Sequence, residues 1–249
     1  QYTKLNASLS SITRREKGST AETLFARKTM STHYFSWLAT KWLNIGLFES
    51  TLWQTEDSSG TKPLQYQQFN PIIGVNTATT GFNDVNHSVI GTNLKIKLPF
   101  KIILYNQFVY DGESRYGYQT GIKIFPTPYL TVQAEYNNVT KNTYTSNVTL
   151  QSYTNYNENL AHPLGNDFDE LVAILNLNYK RAFFQIKGIL LTENLSTNFV
   201  ERSFIQYHLG YLINPKNNMS IIIGETVIEG TNYLYFGFRT SLRNLYDDF

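Results

Sequence analysis

Apolar and polar residues alternate one by one in segment after segment of this chain, and that two-residue period is the signature of strands with one apolar and one polar face. Ile90, Thr92, Leu94, Ile96 and Leu98 oppose Gly91, Asn93, Lys95 and Lys97. Ile102, Leu104, Phe108 and Tyr110 oppose Tyr105, Gln107 and Asp111, and Tyr116, Tyr118, Thr120, Ile122 and Ile124 oppose Gln119, Gly121 and Lys123. Leu130, Val132, Ala134 and Tyr136 then face away from Thr131, Gln133, Glu135 and Asn137. The pattern returns at Leu171–Leu177, at Phe184, Ile186 and Leu190, at Ile205–Ile213 and at Leu234–Leu242. Weaker stretches near 22–38, 42–53 and 219–228 bring the expected total to roughly eleven strands, each near the ~10 residues of a tilted membrane strand. The predicted fold class is all-β.

Composition narrows the setting. Aromatic residues make up 15% and charged residues only 16% of the 249 residues, against roughly 25% charged in an average soluble domain. No apolar run approaches the roughly 18 residues of a membrane helix, a test that a barrel escapes because only alternate residues meet lipid. There are no cysteines, which removes disulfides and thiolate metal sites, and a net charge of +2 with mixed signs gives no case for nucleic acid. No secretion leader stands before Gln1, as expected of a mature chain or a C-terminal portion.

The connections carry the topology. Short turns are expected near 40–41, 98–100, 126–129, 179–180 and 214–218. Longer loops are expected near 54–86, 111–115, 138–168, 192–202 and 229–231. Alternating short and long connections are the mark of an outer-membrane barrel, with turns at the periplasmic side and loops outside. The expectation is therefore an antiparallel transmembrane β-barrel over 1–249 in the bacterial outer membrane, with long extracellular loops near 54–86 and 138–168. A soluble β-sandwich also alternates, but its strands are usually shorter and it seldom carries such loops. The ending Leu245-Tyr246-Asp247-Asp248-Phe249 is similar to the C-terminal assembly signal of bacterial outer-membrane proteins.

Several segments resemble the Wzi-type capsule-assembly family and its gliding-motility relatives in Bacteroidetes. They are the run from Leu24 to Tyr34, the run from Leu43 to Ser50, Phe69-Asn70-Pro71, the run from Leu104 to Asp111, Ala134-Glu135-Tyr136-Asn137, His162-Pro163-Leu164-Gly165 with the preceding Ala161, and Arg239-Thr240-Ser241-Leu242. The resemblance implies a barrel of about eighteen strands that holds capsular polysaccharide at the cell surface, with a periplasmic helical bundle. Fewer strands here imply the C-terminal part of that larger barrel, since an open barrel leaves backbone groups unpaired in lipid, with a smaller barrel or one built from several chains as the alternatives.

The chemistry expected is binding, not catalysis. No nucleotide loop, zinc-protease helix or paired metal-ligand spacing appears, and no cofactor is implied. Glycan contact is expected from loop aromatics, whose faces stack on sugar C–H surfaces: Tyr66, Phe69 and Phe82 in the first long loop, and Tyr144, Tyr153, Tyr156 and His162 in the second. The competing reading packs these aromatics onto the barrel mouth or into the interfacial girdle. Polar residues expected to line the lumen are Lys95, Lys123, Glu135, Lys187, His208 and Arg239, where they pair across it or form a conduit. Glu49 is a further candidate, although alternation sets it on the lipid side with Leu47 unless a bulge or an interfacial position intervenes. Expected partners are outer-membrane lipid, surface polysaccharide and subunits of gliding or secretion machinery. The function expected is a non-enzymatic barrel that organises surface polysaccharide or supports attachment and gliding. A structural subunit of an outer-membrane assembly and a porin-like channel are the alternatives.

Overall fold

The computed structural model describes residues 1–12, 25–57, 60–63, 65–82, 86–195 and 198–240. A twelve-stranded sheet dominates it, with its strands in chain order. They are β1 (Tyr2–Ile12), β2 (Phe25–Thr40), β3 (Leu43–Gln54), β4 (His87–Leu98), β5 (Ile102–Tyr110) and β6 (Tyr116–Thr127). The rest are β7 (Leu130–Val139), β8 (Phe168–Tyr179), β9 (Ala182–Leu195), β10 (Asn198–Asn214), β11 (Met219–Ile228) and β12 (Thr231–Arg239). The expected count of about eleven is corrected to twelve by β1, whose alternation is masked by Ser and Asn on one face and Leu and Ala on the other. Among the described residues, β1 and β12 are the two ends of the strand order. Leu24, Ser241, Leu242 and the Leu245–Phe249 ending lie outside the described residues.

Two connections also depart from expectation. Of the loop expected near 192–202, residues 192–195 and 198–202 are strand, because β9 runs to Leu195 and β10 begins at Asn198. The connection near 229–231 is the two-residue turn Glu229-Gly230, both at positive φ, the left-handed pair of a tight hairpin.

The chain divides into two compact units. The first holds residues 1–96, 105–119 and 138–168. Its register defines two faces of the β1–β4 sheet. One carries Phe35, Trp37, Leu43, Ile45, Leu47, Leu94 and Ile96; the other carries Tyr34, Ser36, Asn44, Asn93 and Lys95. Polar contacts follow the second face: the Ser36 hydroxyl bonds Asn44 at 3.3 Å, and Asn93 reaches the Tyr34 hydroxyl at 3.5 Å. The apolar face stays open, with Trp37 55% and Leu47 40% exposed.

The second unit, residues 97–104, 120–137 and 169–249, shows the same inversion. Ile205, Tyr207, Leu209, Tyr211 and Ile213 are all exposed on β10, and across the register they meet Val227, Glu225, Ile223 and Ile221. Gln206, His208 and Gly210 occupy the opposite, more covered face. A water-soluble sheet puts its large side chains on the covered face; this one puts them outside, the arrangement that lipid favours.

Aromatic rings on the polar face lie across cross-strand glycines. Phe48 covers its partner Gly91, and Phe183 covers Gly210. A methyl group at Gly91 would collide with the Phe48 ring and with the Phe108 carbonyl. Gly91→Ala should therefore cost about 1–3 kcal/mol by overpacking. Urea unfolding in detergent measures this, and Gly188→Ala, which meets open space, is the matched control.

Candidate functional site

The long connections of the first unit fold back onto the strands, and they do so on opposite faces. The first contains a 3₁₀ turn (Tyr66–Phe69) and helix α1 (Val75–Thr80). Its anchor is Glu49, fully buried, whose carboxylate accepts from the backbone N–H of Gly74 at 2.7 Å, the N–H of Thr77 at 2.7 Å and the Thr77 hydroxyl at 2.7 Å. Free N–H groups at the start of a helix need acceptors, and a carboxylate supplies two oxygens at once. The Tyr2 hydroxyl donates to the Pro71 carbonyl at 2.6 Å and the Ser31 hydroxyl to the Gln68 carbonyl at 3.3 Å, while Lys4 reaches the Asn70 carbonyl. Tyr2, Lys4, Ser31 and Glu49 all belong to the face of Phe35 and Leu47.

The second connection covers the polar face. His87 and Asp111, both fully buried, meet at 2.6 Å through Nε2 and Oδ1. The other ring nitrogen of His87 faces the Gln151 carbonyl at 2.9 Å, and the second Asp111 oxygen accepts the Tyr144 N–H at 2.7 Å. Both histidine nitrogens thus face an oxygen atom. Lys28, also fully buried, donates to the Ser152 carbonyl at 2.7 Å and the Thr154 hydroxyl at 2.9 Å. Burial raises the Tyr144 phenol pKa, helped by the neighbouring Tyr153 and Asp111. Tyr153 is raised by burial too, against a hydrogen bond with Ser50 that lowers it.

Past this clasp the chain makes a two-residue hairpin between Thr154–Asn155 and Glu158–Asn159. Tyr156 and Asn157 form its tip at φ 50° and 64°. Asn suits a left-handed conformation, but a tyrosine there is strained by about 1–2 kcal/mol. The surroundings hold it. The Tyr156 N–H donates to the Ser10 carbonyl at 2.6 Å, Asn155 accepts the Ser10 N–H at 3.0 Å, and Asn157 takes both the N–H and the carbonyl of Ile12 at 3.0 Å. These bonds cover the upper end of the open β1 edge and present the Tyr156 ring 53% exposed.

The aromatics expected to contact glycan therefore separate by environment. Tyr66, Phe69 and Tyr156 are exposed, while Tyr144, Tyr153, Phe82 and His162 are at least half-covered. Tyr144 and Tyr153 pack together at 6.0 Å, Phe82 packs edge-on against Tyr110 at 5.1 Å, and His162 stacks on Phe168 at 4.6 Å. The His162–Gly165 run is a tight turn, with the Gly165 N–H donating to the His162 carbonyl at 2.9 Å and Gly165 at φ 79°.

Among the residues expected in a lumen, Lys95 pairs with Asn44 on the polar face, Lys187 pairs with Gln206, His208 with Gln185, and Arg239 with Ser220. Glu135 accepts from Asn137 at 3.0 Å, and the same amide bonds Glu170 at 2.8 Å. Lys123 is half-buried in β6. Glu49 is the correction: it is on the apolar face beneath α1, as alternation requires, and the register has no bulge near it, since the shift in that ladder falls between Leu38 and Thr40. The buried His87–Asp111 pair and Lys28 were not expected as site residues. Asp111 follows a strand end and His87 begins one, so only folding reveals that they meet.

No family model and no curated protein matches the chain. Among solved structures it is similar to Wzi, an outer-membrane protein involved in group 1 capsule assembly in Escherichia coli and described as a carbohydrate-binding β-barrel. The TM-score is 0.58 at 14% identity, over 86% of this chain and 49% of that one. The chain thus spans about half the length of the structure it matches, and the likeness is one of fold.

Proposed function

We propose that this chain forms part of the wall of an outer-membrane β-barrel that binds surface polysaccharide without catalysing a reaction. The observation that carries the membrane reading is the inverted polarity of the sheet: exposed Trp37, Leu47, Leu209, Tyr211 and Ile223 oppose polar or glycine positions in both units. Among the described residues β1 and β12 are the end strands, and backbone groups left unpaired in lipid would cost several kcal/mol apiece. The long connections face the cell exterior. Heat tests the barrel: unboiled protein should migrate differently from boiled protein in detergent gels, and equal mobility together with solubility in plain buffer would refute the reading.

Polysaccharide binding draws support from the likeness to Wzi and from the strained, clamped Tyr156. A half-exposed ring at a left-handed position suits stacking on a sugar face, with the exposed Glu158 of the same hairpin beside it for hydroxyls. Tyr156→Ala should weaken retention of polysaccharide extracted from the producing cells about three- to tenfold, the worth of ~1 kcal/mol. Tyr156→Asn separates binding from folding, because Asn favours that backbone and should stabilise the hairpin while losing retention. Wild-type retention by both variants would move the glycan contact elsewhere.

A further inference from the structure

We infer that residues 66–74 form a membrane-interface anchor, with Tyr66, Phe69 and Ile72 inserted at the boundary between lipid headgroups and acyl chains. This rests on the outer-membrane reading but adds a partner for a connection that lies outside the strands. The polarity of the segment is inside out. Within the segment Gln68 is buried at 8% exposure and Gln67 and Asn70 are partly covered, as Asn76 and Thr77 of α1 are buried beside it, whereas Tyr66, Phe69 and Ile72 are 82%, 63% and 61% exposed. A connection bathed in water does the reverse, turning amides and hydroxyls outward.

Position points to lipid as the occupant. The segment is pinned through Tyr2, Ser31 and Glu49 to one face of the β1–β3 sheet, and along that face the next side chains are exposed Phe35, Trp37 and Leu47. The apolar surface of the connection thus continues the apolar surface of the strands. From Gln65 to Phe82 the sequence has no charged residue, and the two ions that meet the connection from the strands, Lys4 and Glu49, are each hydrogen-bonded to its backbone. Tyrosine and other aromatics favour the interfacial layer, where the ring is shielded and the hydroxyl stays wet.

The absence of cysteine makes the test direct. Single variants Tyr66→Cys, Phe69→Cys and Ile72→Cys carry a nitroxide label in phosphatidylcholine vesicles, with Trp37→Cys as the strand reference and Tyr156→Cys as the aqueous one. Each variant is first checked for heat-modifiable migration. Labels at 66, 69 and 72 should collide more with oxygen than with a water-soluble nickel chelate, as at 37, and the label at 156 should show the opposite. Nickel preference at 66, 69 and 72 with oxygen preference at 37 would overturn the anchor alone. Nickel preference at 37 as well would overturn the membrane reading beneath it. Shielding from both probes only when polysaccharide is added would hand these residues to a glycan and also overturn the anchor. Phe69→Trp gives an independent readout: its added fluorescence should be quenched by brominated acyl chains, and unquenched emission counts against insertion.

Discussion

Asp111→Ala should release the second long connection from the polar face and cost about 3 kcal/mol, the consequence of leaving buried polar groups without a partner. The His87 Nε2 would lose its partner and the Tyr144 N–H its acceptor. Amide exchange over residues 143–154 should accelerate, and a protease should cut within that connection while leaving the strands intact. His87→Ala is expected to act in the same direction, because Asp111 then keeps only backbone donors. Replacing both residues by apolar ones of similar size, His87→Leu with Asp111→Leu, should recover part of the loss, since no unpaired charge remains. Unchanged protection in Asp111→Ala would mean that Lys28 and the hairpin clamp alone hold the connection.

Glu49→Leu carries the second large effect, about 3 kcal/mol, through donors left without acceptors in a covered site. The Gly74 and Thr77 N–H groups and the Thr77 hydroxyl all depend on that carboxylate. Helix α1 is only six residues long and has no side-chain cap of its own, so little else holds its first turn. Exchange at the Thr77 amide should rise steeply while β2 and β3 remain protected. Glu49→Gln keeps one acceptor oxygen but presents an amide donor to the remaining N–H, and should fall between the wild type and the leucine variant. Full protection of Thr77 in Glu49→Leu would refute the pinning role. Loss of α1 should also disturb the label environments at Phe69 and Ile72, which links this pin to the proposed interface anchor.

Strand residues were legible because the backbone imposes a period of two whatever the partners are. Ile205–Ile213 and Phe184–Leu190 needed no tertiary information to be assigned an apolar face. β1 was illegible for the same reason in reverse: Lys4, Asn6, Ser8 and Ser10 alternate with Leu5, Ala7 and Leu9, but they cover and clamp connections instead of bounding a lipid face. The expected loop at 192–202 failed because Thr192, Glu193, Asn194 and Glu201 are strand residues, where polarity does not distinguish strand from loop. Glu49 was placed on the right face by alternation. Its purpose, to hold a helix that arrives from residues 74–77, was invisible because the donors are backbone groups, which carry no signature in side-chain identity.

The sequence by itself determined an all-β chain with apolar and polar strand faces, the location of its two long connections, and the absence of charge in the first of them. Local chemistry decides those properties, and they survive without knowledge of what packs where. Only the tertiary structure decided that the two connections take opposite faces of one sheet, that Tyr144 and Tyr153 are packing residues while Tyr156, Tyr66 and Phe69 are presented, and that His87 meets Asp111. Those outcomes depend on strand register and loop closure, which bring together groups that lie tens of residues apart along the chain.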